Sequence, residues 1–296
     1  LYRTPENKLD AFQHIRDDYW DRILRPSRPW WKLPIREIWE YRDLILLFFR
    51  RDLISVYKQT VLGPIWFFAG PLFTVAVYTL VFGQVAKLPS DGVPPPLFYM
   101  SSILLWSFFS SNLTAITGSL AQNSSLFGKV YFPRLVVPLS ILMSGLVKLG
   151  IQAIMLMLML GYYVLNKDFS WRPNLALFML PLFMLLLTML ALGLGLIFAS
   201  FSTRYRDLNH MVGFGMLLLM YASPVIYPAS FVPPSLQPLF ALNPIAPILE
   251  AFKSGLFGLP FVQWGGLAYS SAIAFLTLVL GLMAFQRVES RFVDYI

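Results

Sequence analysis

Few residues in this chain have the type and spacing that chemistry needs, and nearly all of them are cationic or aromatic. Arg50, Arg51 and Lys58 stand together just ahead of Gly63-Pro64, in the stretch YRDLILLFFRRDLISVYKQTVLGP. Basic groups placed like this face anionic headgroups at a membrane surface. Lys129 and Arg134 are interleaved with Phe127, Val130, Tyr131 and Phe132 in SLFGKVYFPR. Aromatic and Arg residues mixed in this way suit a docking knob, and they equally suit a connector whose rings anchor at the lipid boundary. Arg204, Tyr205, Arg206 and Asp207 form a second short polar stretch (STRYRDL) that alone reads as a basic turn. Lys148 is an ionisable residue well inside an apolar run. Such a charge either lines a hydrated route or snorkels toward a polar partner. Trp66 with Phe73, and Tyr99 with Trp106, recur at seven-residue steps and so share helical faces. Stripes like these are more often packing than ligand platforms, and stacking on a sugar enters only if another argument supplies the sugar.

What is missing narrows the chemistry. Gly128-Lys129 lacks the upstream Gly and the following Ser or Thr of a phosphate-cradling G-x-x-x-x-G-K-[ST] loop. There is no cysteine, His14 and His210 are far apart, and no Asp-x-Asp pair occurs. A membrane-embedded lipid-processing enzyme is therefore disfavoured, and no metal or cofactor is expected on this chain. Any ATP hydrolysis belongs to another subunit.

The elements that would position these residues are membrane spans. Hydrophobic residues make up 57% of the chain and charged ones 13%, with a mean hydropathy of +0.64, against roughly 25% charged in a soluble domain. Runs of about 20 apolar residues, enough to cross the hydrocarbon, predict six spans. They are Ile65–Ala86, Leu97–Gln122, Leu135–Leu165, Leu175–Phe201, Met211–Tyr227 and Gly266–Phe285. With both termini cytoplasmic, eighteen Lys and Arg fall on the inner side and four on the outer, as the positive-inside bias requires. That distribution, more than the net charge of +8, points to membrane lipid and not to nucleic acid. From Ile35 to Lys58 the apolar residues Ile35, Ile38, Trp39, Ile45, Leu46, Phe49 and Leu53 recur mostly three or four apart. This predicts an amphipathic helix along the inner headgroups, or else one packed on a partner. Gly63-Pro64 breaks it and lets the chain turn into the first span. Between the last two spans, Ser223–Phe261 holds eight of the 22 prolines. Asn243-Pro244 there reads as a helix start leading into an apolar face of Ile245, Ile248, Leu249, Phe252 and Leu256. That piece is too short to span and suits a re-entrant or interfacial helix, acting as a cap over an exit or as a passive anchor.

Several stretches together resemble the permeases of ABC-2-type polysaccharide exporters. They are LFFRRDLISVYKQTVLGPIWFFAGPLFTVAVYTLVFG, SLFGKVYFPRLVVPLS, FASFSTRYRDL and SPVIYP followed by LNPIAPILEAFKSGLFG. The similarity runs from about Ile35 to the C-terminus and rests on the order and spacing of these stretches. It implies an all-α membrane protein of the cell inner membrane, with six spans, an interface helix (residues 35–62) ahead of a transmembrane domain (63–296), and external re-entrant helices before the last span. Residues 1–34 form an extension beyond the shorter permeases. It further implies a homodimer bound to two ATPase subunits, which hold ATP and Mg, and a polysaccharide on a polyprenyl-diphosphate carrier as substrate. Phe127–Arg134 and Arg204–Asp207 become contacts to the ATPase, Arg50, Arg51 and Lys58 lie near the site where the carrier loads, and Trp66, Phe73, Tyr99, Trp106 and Lys148 become candidates for the path. An ABC-2 exporter of a small lipid or drug is the nearest alternative.

Overall fold

The computed structural model describes residues 35–58, 61, 63–127, 129–172, 174–205, 207–260 and 264–291. The expectations for residues 1–34 and for Arg206 lie outside the described residues. Among the described residues every regular element is helical, the arrangement that satisfies backbone groups segment by segment in hydrocarbon. In chain order the helices are α1 (Ile35–Glu40), α2 (Arg42–Tyr57), α3 (Trp66–Tyr78), α4 (Pro95–Gln122), α5 (Ser124–Phe127), α6 (Val136–Leu165), α7 (Leu180–Ser202), α8 (Leu208–Tyr221), α9 (Gln237–Ala241), α10 (Ala246–Phe257) and α11 (Trp264–Arg291). Helix α3 continues through wider turns over Thr79–Val85, and a tight helical turn, Leu175–Met179, leads into α7.

The expected interface helix is two helices that meet at Tyr41. Its inward face is Ile45 and Phe48, packed with Phe132, Val136 and Val137, while Trp39, Leu46 and Leu47 point outward. Beyond it Gly63 adopts φ +53°, a conformation that costs little only without a Cβ, and the chain turns into α3 there.

The core is α4, α6, α7 and α11. Helices α7 and α11 make the closest approach. A methyl group on Gly193 would meet the backbone of Thr277 and Leu278 at 2.5 Å, and one on Gly281 would meet the Gly193 carbonyl. Small residues let two backbones come together where hydrocarbon supplies no hydrophobic drive.

Among the described residues five helical stretches are long and apolar enough to cross a membrane: Trp66–Val85, Pro95–Gln122, Val136–Leu165, Ala176–Ser202 and Trp264–Glu289. The expected fifth span, Met211–Tyr227, is instead the 14-residue α8. At 1.5 Å per residue it reaches about 21 Å, short of the roughly 30 Å of hydrocarbon. Pro224 ends it, because proline offers no amide donor and disfavours helix in the residue before it. The expected short apolar helix after Asn243-Pro244 is α10, and its burial is not confined to the face of Ile248, Leu249, Phe252 and Leu256: every residue from Ala246 to Phe257 except Glu250 is buried. It sits against α4, α7 and α11.

Replacing Gly281 by Val should break the α7–α11 crossing and destabilise the protein by about 1–3 kcal/mol or more. Gly213→Ala, at a position with open space around it, should leave the melting temperature in detergent unchanged.

Candidate functional site

Helices α4 and α8 enclose an open groove of about 570 Å³. One wall is polar and belongs to α4: Ser110, Ser111, Thr114 and Gln122, with Trp106 at the end of the row. These residues fall three, four and eight apart and therefore share a face. The opposite wall is Gly213, Met216, Leu217 and Met220 of α8. Ser101, Ser102 and Thr117, buried elsewhere on α4, bond back to their own helix, Thr117 to the Leu113 carbonyl at 2.8 Å. The groove side chains form a row of donors and acceptors beside a flexible thioether surface, suited to a ligand rich in hydroxyls and C–H faces.

An aromatic cluster lies beside the Trp106 end. Tyr78 meets Tyr99 edge-on at 6.0 Å and Phe82 at 5.3 Å, and Tyr99 meets Phe98 at 5.5 Å. The Tyr78 hydroxyl reaches the Met220 sulfur at 3.6 Å. The structure thus brings Trp106 to the groove and Tyr99 into the packing beside it. Trp66 and Phe73 do not join them: both lie on the outward face of α3, Phe73 being 68% exposed. Lys148 is half-buried on α6 and does not border the groove.

A smaller hollow of about 250 Å³ opens between α2, α3 and α6. Phe49, Arg50, Leu53, Ile54, Phe67, Val147 and Ile151 line it. Arg50 is exposed at this hollow. Arg51 is engaged: its guanidinium pairs with Asp52 at 2.9 Å and lies over the Phe48 ring at 4.8 Å. Lys58 is exposed at the end of α2.

From Arg51 a continuous stack runs through the loop between α5 and α6. Phe48 packs on Phe132 at 5.8 Å, Phe132 on Phe127 at 5.5 Å, and Arg134 lies over Phe127 at 5.5 Å. The Arg134 amide donates to Glu289 Oε1 at 2.9 Å and its guanidinium to the Glu289 carbonyl at 3.3 Å, tying the loop to α11. Burial pulls the Arg134 guanidinium below its usual pKa, and Glu289 opposes that shift. Phe132 is 4% exposed and so faces its own chain; Val130 at 56% and Tyr131 at 69% are the side chains turned outward, with Lys129 beside them. In the second loop Arg204 lies 5.5 Å from the Tyr205 ring, and Tyr205 and Asp207 are exposed.

One charged residue with a structural part was not singled out by the sequence. Lys253 of α10 is 1% exposed. Its Nζ donates to the Pro224 carbonyl at 2.9 Å, lies 2.9 Å from Glu250 Oε1, and sits 4.3 Å from the Phe98 ring centre. The available signal was Glu250 three residues earlier in an otherwise apolar run, a pair that meets on one helix face. Among the described residues no three His, Cys, Asp or Glu side chains gather at a metal-sized site.

A family model for ABC-2 type transporters matches residues 43–257. The chain belongs to that family. Among its relatives is the O-antigen export system permease protein RfbA of Klebsiella pneumoniae, 26% identical over 257 residues that cover 85% of this chain and 94% of the relative. RfbA of Myxococcus xanthus is 28% identical over 223 residues, 74% of this chain and 82% of the relative. The polysialic acid transport protein KpsM of Escherichia coli is 22% identical, covering 81% and 92%. Within this ABC-2 chain the stack links the loop between α5 and α6 to α2 and to α11. Phe132→Ala should therefore destabilise the permease by about 3–5 kcal/mol, whereas Tyr131→Ala should stay within about 0.5 kcal/mol of wild type, both read from thermal melts.

Proposed function

We propose that this chain is the transmembrane permease subunit of an ATP-driven exporter that moves a polyprenyl-diphosphate-linked, O-antigen-like polysaccharide across the cytoplasmic membrane. The observation that carries this reading is the groove between α4 and α8 in a chain whose ABC-2 relatives are named as O-antigen and polysialic acid transporters. A glycan needs hydrogen-bonding partners for its hydroxyls and an aromatic face for its C–H side. Ser110, Ser111, Thr114 and Gln122 supply the first and Trp106 the second. A small lipid or drug favours an enclosed pocket; this groove is open, and the hydroxyl and amide groups of its α4 wall speak for a polymer.

The chain crosses the membrane six times in this reading, with both termini cytoplasmic. The short α8 makes the fifth crossing, completed by the Ala222–Tyr227 turn and α10. Helices α1 and α2 lie at the inner headgroups with Trp39, Leu46 and Leu47 toward lipid. Two copies pair so that their grooves form one path. Each copy binds an ATPase subunit, on which ATP and Mg reside, through Lys129, Val130 and Tyr131, with Arg204, Tyr205, Arg206 and Asp207 as a second contact. Phe127, Phe132 and Arg134 hold that loop from behind. The carrier loads at the inner hollow: Arg50 takes a diphosphate oxygen and the apolar lining takes the start of the prenyl chain. Lys148, one residue from Val147, and Lys58 add positive charge nearby. Arg51, already paired, supports the interface helix.

Two outcomes follow. Val130→Ser with Tyr131→Ala should reduce co-purification with the ATPase subunit without changing the permease melt; unchanged assembly would remove these residues from the interface. Arg50→Gln should insert normally and lower export about tenfold, the scale of one charge-assisted hydrogen bond. Arg50→Lys should recover only part of that loss, since Lys keeps the charge but not the fork. Wild-type export in Arg50→Gln would make this arginine a topological anchor.

A further inference from the structure

The outer end of α8 is held almost entirely by side chains from elsewhere. Val212 is the one buried residue of this helix, so the wall it gives the groove has little packing behind it. At its C-terminus the position reverses: Ser223, Val225 and Ile226 are buried. Two polar side chains clamp this turn. Asn243 Nδ2 donates to the Ala222 carbonyl at 3.0 Å and to Ser223 Oγ at 2.7 Å, while its Oδ1 accepts the Ile245 amide at 2.9 Å. Lys253 reaches the Pro224 carbonyl from α10.

A buried ammonium is costly unless its charge and its protons are both matched. Here the carbonyl takes one proton, Glu250 supplies the counter-charge at an angle outside hydrogen-bond geometry, and the Phe98 ring presents its negative face. The contact also places a cation at the negative end of the α8 dipole. None of this is needed to fill space, since an apolar side chain would pack there without the penalty. What the ammonium adds is a directional bond joining α10, the α8 turn and the outer end of α4.

We infer that Lys253 is a positioning residue that latches the outer end of α8 to α10 and keeps the groove closed to the outside until export displaces it. The inference rests on the groove being the glycan path, and the test separates the two. The chain has no cysteine, so Ser111→Cys gives a single thiol on the groove wall. In the full transporter with its ATPase subunits, without nucleotide, an impermeant thiol reagent added outside should label this position slowly. In Lys253→Met with Glu250→Gln, which removes both charges together, labelling should rise about tenfold, equivalent to roughly 1.4 kcal/mol in a closed–open balance. Lys253→Arg, which retains a cationic donor, should stay close to the slow rate. Equal rates in all three backgrounds would overturn the latch. Loading lipid-linked glycan should slow labelling in the open background; if it does not, the path reading fails while the latch stands. Should the double variant not assemble, Ala222→Cys with Asn243→Cys joined by a short bis-methanethiosulfonate linker, which forms a disulfide to each thiol with loss of sulfinate, tests the same hinge. Linking should stop export and reduction should restore it, and export at the unlinked rate would overturn the latch.

Discussion

A carbonyl left without a donor in an apolar medium costs several kcal/mol, and the end of α8 presents four in a row. Each is satisfied by a different device: Tyr221 by the Tyr227 hydroxyl at 2.5 Å, Ala222 by Asn243, Ser223 by the Val225 amide at 2.7 Å, and Pro224 by Lys253. The prolines that shorten α8 are tolerable only because Asn243 and α10 return to cover this turn. The buried outer helix, the charged residue within it and the short wall of the groove are three consequences of one requirement.

The same economy operates at the loop between α5 and α6, with rings in place of carbonyl caps. Arg51, Phe48, Phe132, Phe127 and Arg134 touch in sequence and end on Glu289. A push on the loop between α5 and α6 is therefore felt by the interface helix and by the last span. Since α11 packs on α7 and α7 on α4, the loop connects through closely packed helices to the polar wall of the groove. The outer clamp holds the other wall. A transporter that must open at one face and then the other needs this division between a stiff wall and a lightly packed one.

Much of this was legible in the sequence because hydropathy is a local property. The long apolar runs became helices within a few residues of the expected ends, and the break at Gly63-Pro64 falls where the chain turns. The failures share a cause: partners distant in the chain. Phe132 reads as an exposed ring until Phe48, from another helix, is brought against it. Lys253 reads as one more outer-side charge, useful only for counting orientation, until Pro224 is folded over it. Met211–Tyr227 reads as one continuous apolar run because Val225, Ile226 and Tyr227 extend it; in the structure these three follow the end of α8 in a turn, with Val225 and Ile226 buried, which composition does not distinguish from a helix. The arginine pair was separable only through Asp52 and Phe48, which engage Arg51 and leave Arg50 at the hollow.

The central claim is that glycan moves along the groove between α4 and α8, and photo-cross-linking in the working transporter tests it most directly. A photoreactive residue at Thr114 or Leu217, on facing walls, should form adducts with the lipid-linked polysaccharide during ATP turnover, and one at Phe73 on the outward face of α3 should not. Adducts from position 73 with none from 114 or 217 would contradict the account.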